Sequence, residues 1–370
     1  MTLHDDVLAR IAAFSTRLAD LDDALVASIL PILEELEREL VEQIRLADLT
    51  PGRRRTHRLA RAERLLEQTR GTIAGRYDEI GRRLDERLQG TARFSLEFTH
   101  GTLRTAVGPI LNLVNVNTVV TSPELLEALA GQTLVSMGDV AGAAPVRDWL
   151  AEQQRNLVEA FAKQMRQGLL RGEGIPELTR RIAGGGAHQG IGPVSREWAE
   201  ALARTANTAV GAAARDELYA ANGSVVRGIY QVTTRDEHTT IVCLAYAGKG
   251  FVRGEDGLYE PLGHTLPYNG GVPRHVNCRS IEAPLVRSLA ELGIEPSEVP
   301  GEFREYFGVA PPAEQAGEAI LEGRSETFQD RVLGPTRAKL WRDGKLRLED
   351  LVTPEGRVVP IANLSTASAG

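Results

Sequence analysis

Cysteine is nearly absent: the 370 residues hold two, Cys243 and Cys278. Two cysteines exclude a disulfide scaffold and predict a chain made in a reducing cytosol. Aromatic residues are sparse at 5%, and the apolar content is mostly Leu, Ala and Val, which favours helices packed on helices over an aromatic-rich β-sandwich. Lysine occurs only at 163, 249, 339 and 345, so the positive charge is almost entirely Arg. The net charge of -7 excludes a chain that coats nucleic acid with its whole surface. The start, Met-Thr-Leu-His-Asp-Asp, lacks the basic and then apolar order of a signal peptide. The longest uncharged stretch, Thr105 to Pro123, contains Pro109 and Asn112, Asn115 and Asn117. It therefore reads as buried or interfacial, and no membrane partner is expected. There is no Gly-x-Ser-x-Gly elbow to support Ser-His-Asp catalysis.

What is present is mainly helical periodicity. Residues 5 to 46 place Val7, Ile11, Phe14, Leu18, Leu21, Leu25, Ile29, Leu33, Leu36, Leu40 and Ile44 at steps of three or four, which predicts one long helix interrupted only by a kink at Pro31. Thr50-Pro51-Gly52 predicts a turn, and a second stripe from Leu59 to Leu88 predicts an antiparallel helical hairpin. Gly71, Gly75 and Gly81 inside that stripe either permit close helix contact or break the helix. Leu111 to Val116 hints at a short extended segment, with helix from about Ser122 and a clear amphipathic helix over 146 to 170. Gly184 to Pro193 reads as a flexible linker, Ser195 to Ala221 as helix and Val225 to Val232 as strand.

The expected fold is mostly α with a small α+β module. An elongated N-terminal helical hairpin (1–100) precedes a helical middle (101–193), the α+β module (194–284) and a helical and extended tail (285–370).

Charge is uneven along the chain. Residues 1 to 50 contain four Arg against eleven Asp and Glu, which accounts for the whole net charge. The pairs Asp22-Asp23 and Glu34-Glu35 lie on helical faces and are expected to be solvated. The densest basic run is Arg53, Arg54, Arg55 and Arg58, continued by Arg61 and Arg64. At the tip of a hairpin it is a candidate contact for phosphates or an acidic protein surface, or else a solvated helix start that pairs with the acidic first helix.

Chemistry concentrates between 238 and 278, which hold both cysteines and His238, His264 and His275. The His275-x-x-Cys278 spacing lets a turn present two ligands to one metal ion, and His238 with Cys243 would supply the other pair of a tetrahedral zinc site. The same residues also allow a Cys243 to Cys278 disulfide, or no bond at all. Gly263-His264, Pro267, Gly270-Gly271 and Asn277 follow the order of an HNH nuclease, in which a His activates water beside a metal. However, Gly263 stands where such enzymes place Asp, and no His follows Asn277. No catalytic residue is therefore assigned, and an HNH-like nuclease is the alternative.

About half the chain resembles the phage head morphogenesis family, the Mu F-like minor head proteins. The similarity lies in the order of several pieces. These are Arg166-Gln-Gly-Leu-Leu-Arg-Gly-Glu-Gly-Ile-Pro-Glu-Leu178, Ala203-Arg204-Thr205, Gly228-Ile-Tyr230, Asp236 with Thr239 and Cys243, Gly248-Lys249, and Pro273-Arg274-His275-Val-Asn-Cys278-Arg279 closing at Pro284. The stretch Arg331 to Val352 is similar to the ending of such proteins. Members often carry two cysteine pairs, where this chain has Thr240 and Ser280 at the partner positions. The resemblance leaves Cys243, Cys278 and His275, with His238, as the ligand set for a structural zinc. It implies a non-enzymatic minor head protein of a tailed phage or prophage, acting near the portal. Its expected partners are the portal, the major capsid or scaffold protein, and phage DNA. It is expected in the host cytoplasm during assembly and then inside the head.

Overall fold

The stripe of residues 5 to 46 forms one helix, α1 (Leu3–Leu46), which continues through Pro31. It is followed by α2 (Arg55–Ala106), unbroken at Gly71, Gly75 and Gly81, so the helix-breaking role open to those glycines does not apply. The structure, a computed structural model, describes residues 3–49, 55–138, 142–235 and 239–364. The turn expected at Thr50-Pro51-Gly52 lies outside these residues. After α2 come α3 (Pro123–Gln132), β1 (Leu134–Ser136), β2 (Ala143–Pro145), α4 (Val146–Leu170), α5 (Ile175–Ala183) and α6 (Ile191–Ala221). The remaining elements are β3 (Val226–Val232), α7 (Ile241–Tyr246), β4 (Gly250–Arg253), β5 (Tyr259–Leu262), β6 (Ile281–Val286), α8 (Leu289–Leu292), α9 (Gly317–Glu322), α10 (Glu326–Leu333) and α11 (Pro335–Arg342). This is the expected mostly α chain with a small α+β part.

The chain packs as two compact units: Met1–Ala19, Thr91–Leu126 and Thr208–Gly370 in one, Asp20–Gly90 and Glu127–Asn207 in the other. Their limits fall inside α1, α2, α3 and α6.

In the second unit, the α1 and α2 segments run antiparallel. Gln43 exchanges hydrogen bonds with Thr72 (2.7 Å) and Thr69 (3.2 Å), and Arg76 pairs with Glu39. Ile29, Leu36, Ile73, Ile80 and Leu84 are buried between them, each contributing on the order of 2 kcal/mol of hydrophobic free energy. Asp22, expected to be solvated, is buried and accepts from the Asn207 amide at 2.6 Å, while Asp23 stays exposed as expected and pairs with Arg204 at 3.0 Å. Two sequence expectations change here. A hairpin of β1 and β2 precedes α4, with the Trp149 indole N–H donating to the Val135 carbonyl at 2.7 Å. The Gly-rich run from 184 is a tight turn closed by hydrogen bonds between Gly185 and His188, and its end already belongs to α6. It connects helices of one unit.

In the first unit, an antiparallel sheet of order β5-β4-β3-β6 carries the core. Residues 111 to 116, expected to be extended, form no strand: 111 to 113 are a turn and Val114 a bend. The stretch is held at Asn117, whose backbone N–H donates to the Asn222 side-chain oxygen (2.7 Å) and whose carbonyl accepts from the Asn222 amide (3.0 Å). Among the described residues no helix is long and apolar enough to cross a membrane.

Candidate metal centre

Cys243, His275 and Cys278 converge at one end of the sheet, and among the described residues they are the one Cys, His, Asp and Glu group placed to hold a metal ion. Each arrives by a different local device. Cys243 sits in the first turn of α7, where the Thr240 hydroxyl caps the helix by accepting from the Cys243 N–H at 3.3 Å. His275 and Cys278 close a turn in which the Cys278 N–H donates to the His275 carbonyl (3.1 Å), and Asn277 adopts φ 61°. Directly after that turn, β6 pairs with β3 and fixes the turn against the sheet.

Distances among the three ligands suit a shared ion. The two sulfurs are 3.7 Å apart. A disulfide requires about 2.05 Å, whereas two sulfurs each about 2.3 Å from one tetrahedral zinc stand about 3.8 Å apart. Both thiols are free and buried. His275 Nε2 lies 3.0 Å from Cys243 Sγ, and its Nδ1–H donates to the Val276 carbonyl at 2.8 Å, which turns Nε2 toward the sulfurs.

The three groups shift one another's proton affinity. The hydrogen bond from Cys243 holds Cys278 well below the usual thiol range, assisted by His275. Cys243 is pushed up by the same hydrogen bond and then by burial. Burial works against a charged His275, yet the hydrogen bond and charge of Cys278 raise it overall. Zinc takes thiolate sulfur and neutral imidazole nitrogen, so its binding would release protons from this cluster.

The supporting shell was not visible in the sequence. Gln231 on β3 donates to the Cys243 carbonyl (3.2 Å) and accepts from Arg274 Nε (2.5 Å); the Arg274 guanidinium lies 3.5 Å from the centroid of the Tyr246 ring. Thr208 on α6 donates to the Cys278 carbonyl at 2.8 Å. Ser280 donates to Cys243 Sγ at 3.2 Å, which puts one of the two substituted cysteine positions directly on the site. His238, the fourth expected ligand, and Asp236 lie outside the described residues.

Other singled-out residues hold the module together. Gly228 lets β4 approach β3, since a methyl there would stand 2.0 Å from the Phe251 carbonyl oxygen. Gly248 turns the chain at φ 72°. Pro273 follows a cis peptide bond, and Arg279, half-buried, follows Cys278 directly. Lys249 forms an ion pair with Glu349, which ties the tail segment to the module. Arg204 is elsewhere: it belongs to the second unit, paired with Asp23 and with Glu200 at 3.2 Å.

His264 stands apart from the three ligands. Its Nε2–H donates to the Gly250 carbonyl at 2.8 Å, and its ring packs edge-on against Phe251. Burial lowers its pKa. In the basic run, Arg53 and Arg54 and the side chains of Arg55 and Arg58 lie outside the described residues. Arg61 forms an ion pair with Asp48 and donates to its carbonyl at 3.0 Å, and Arg64 is exposed.

Comparison with family models, curated proteins and solved structures finds no match for this chain.

Proposed function

We propose that this chain is a non-enzymatic minor head protein of a tailed phage or prophage, acting in head morphogenesis beside the portal, with a zinc-stabilised α+β module. The observation that carries this reading is the convergence of the family-like residues. Gly228, Gly248, Lys249, Arg274, His275 and Cys278, dispersed over 51 positions of sequence, meet in one small module with Cys243. The tail segment is tied to it by Glu349. Zinc bound by Cys243, His275 and Cys278 would supply folding free energy, as it does in small domains closed by a structural metal.

The engagement of His264 with Gly250 and Phe251 favours a structural part for the HNH-like stretch over water activation. Portal, capsid or scaffold proteins are the partners this reading assigns, with phage DNA at the arginine cluster. Particles assembled from a tagged copy of the chain provide the test. A few copies per head, co-purifying with the portal, are expected. Heads of normal number and composition that lack the chain would contradict the assignment, as would DNA cleavage by the purified protein that is lost in His264→Ala.

A further inference from the structure

Arg215, on α6, is the largest fully buried side chain among the described residues, at 2% exposure. Its Nε and both terminal nitrogens have no hydrogen-bond partner among the described residues. The guanidinium lies 4.9 Å from the centroid of the Phe14 ring, a contact that offsets only part of the lost hydration. Guanidinium stays protonated in proteins, and an isolated buried charge costs several kcal/mol unless something compensates it.

Among the described residues no neighbouring charge is hydrogen-bonded to it. Glu282 is the carboxylate closest to compensating: it is buried and lines the same cavity. Its Oε1, however, is taken by the Tyr268 O–H (3.1 Å) and the Val272 N–H (3.3 Å), and its charge is shared between Arg215 and Arg274. Arg274 hydrogen-bonds only neutral oxygens, those of Gln231 and the Tyr268 carbonyl. Asp216, next in sequence to Arg215, is bound instead by Arg253 (3.2 Å) and the Tyr259 hydroxyl (2.7 Å). Glu282 and Cys278 both act on Arg274, and among the described residues no acceptor reaches the Arg215 nitrogens.

Against Arg215 lies a cavity of about 20 Å3, walled by Phe14, Phe98, Tyr219 and Ile281 among others. That volume admits one guest the size of a water molecule or a monatomic ion. Sulfate, phosphate and carboxylate ligands are too large for it. The Ser95 hydroxyl, buried on α2 and also without a partner among the described residues, lies on the other side of Gly211 from the same guanidinium.

We propose that this cavity is a binding site for a single halide ion, chloride in the cell, which neutralises Arg215 and locks α6 to the N-terminal segment of α1. Crystals of the unaltered chain grown or soaked in sodium bromide supply the direct test, with a bromide anomalous peak expected within about 3.5 Å of the Arg215 guanidinium. In solution, thermal unfolding is compared in sodium chloride and sodium gluconate at equal ionic strength. The apparent folding constant is expected to rise about tenfold for each tenfold of chloride above its dissociation constant, and Arg215→Met is expected to abolish that dependence. No bromide peak at Arg215 overturns the proposal, because the guest would then be water. Equal stability in the two salts overturns it as well, and neither outcome depends on the variant folding.

Discussion

At the residue scale, the positions with backbone constraints are the ones that shape the candidate centre. Gly248 adopts φ 72°, and a methyl group there would stand 2.8 Å from the Ala316 backbone nitrogen. Gly248→Ala is therefore expected to destabilise the protein by about 2 kcal/mol or more, measured by urea unfolding. Gly75→Ala, in open space on α2, is expected to change stability the other way, by about 0.5 to 1 kcal/mol. Equal effects would mean that the turn at 248 is not required. The same scale explains what could be read early. His275 and Cys278 were legible as a pair because a two-residue gap closes within one turn. Gln231 and Thr208 were not, because each serves the site through a backbone carbonyl 12 or 70 positions away, and a carbonyl leaves no mark in sequence.

At the element scale, the family-like run 166–178 has a physical explanation in the turn from α4 to α5. A methyl on Gly168 would stand 2.3 Å from Leu178 and 2.8 Å from the Glu173 carboxylate, so glycine is what admits both. Glu173 in turn holds the buried Arg181 through two bonds of 2.6 Å, with Gln164 accepting a third at 2.8 Å. These hydrogen bonds from Arg181 keep the Glu173 carboxyl below its usual range. A carboxyl depressed in the folded state stabilises fully above its unfolded pKa, near 4.3, and that contribution is lost as pH falls through the folded value. Chemical unfolding across pH 7 to 3 is expected to show Glu173→Gln about 3 kcal/mol less stable at neutral pH, with a shallower decline in acid. Parallel pH profiles would contradict the pairing. The long helices were legible because their apolar period persists over many turns. The Leu111 to Val116 stretch was misread because alternation alone does not make a strand. The partner that receives the end of this stretch is the side chain of Asn222, not a sheet edge.

At the scale of the whole molecule, the uneven charge has an internal use. Within the second unit, acidic residues of α1 meet arginines from α2 and α6: Glu39 with Arg76, Glu37 with Arg196 and Asp23 with Arg204. Part of the acidic excess in the first fifty residues is matched across helices, and Arg61 of the basic run pairs with Asp48. The two-unit division could not be read from sequence because its limits fall inside continuous helices, where no break in periodicity marks them. The α+β module was legible as a separate period, and its two dispersed cysteines prove to be neighbours. Whether they hold a metal decides the central claim. Zinc measured by mass spectrometry in the full chain, purified without chelator, should be about one ion per chain, and Cys243→Ser with Cys278→Ser should lose both the ion and thermal stability. A folded wild-type chain carrying well under one zinc, with the same melting temperature before and after chelation, would contradict it.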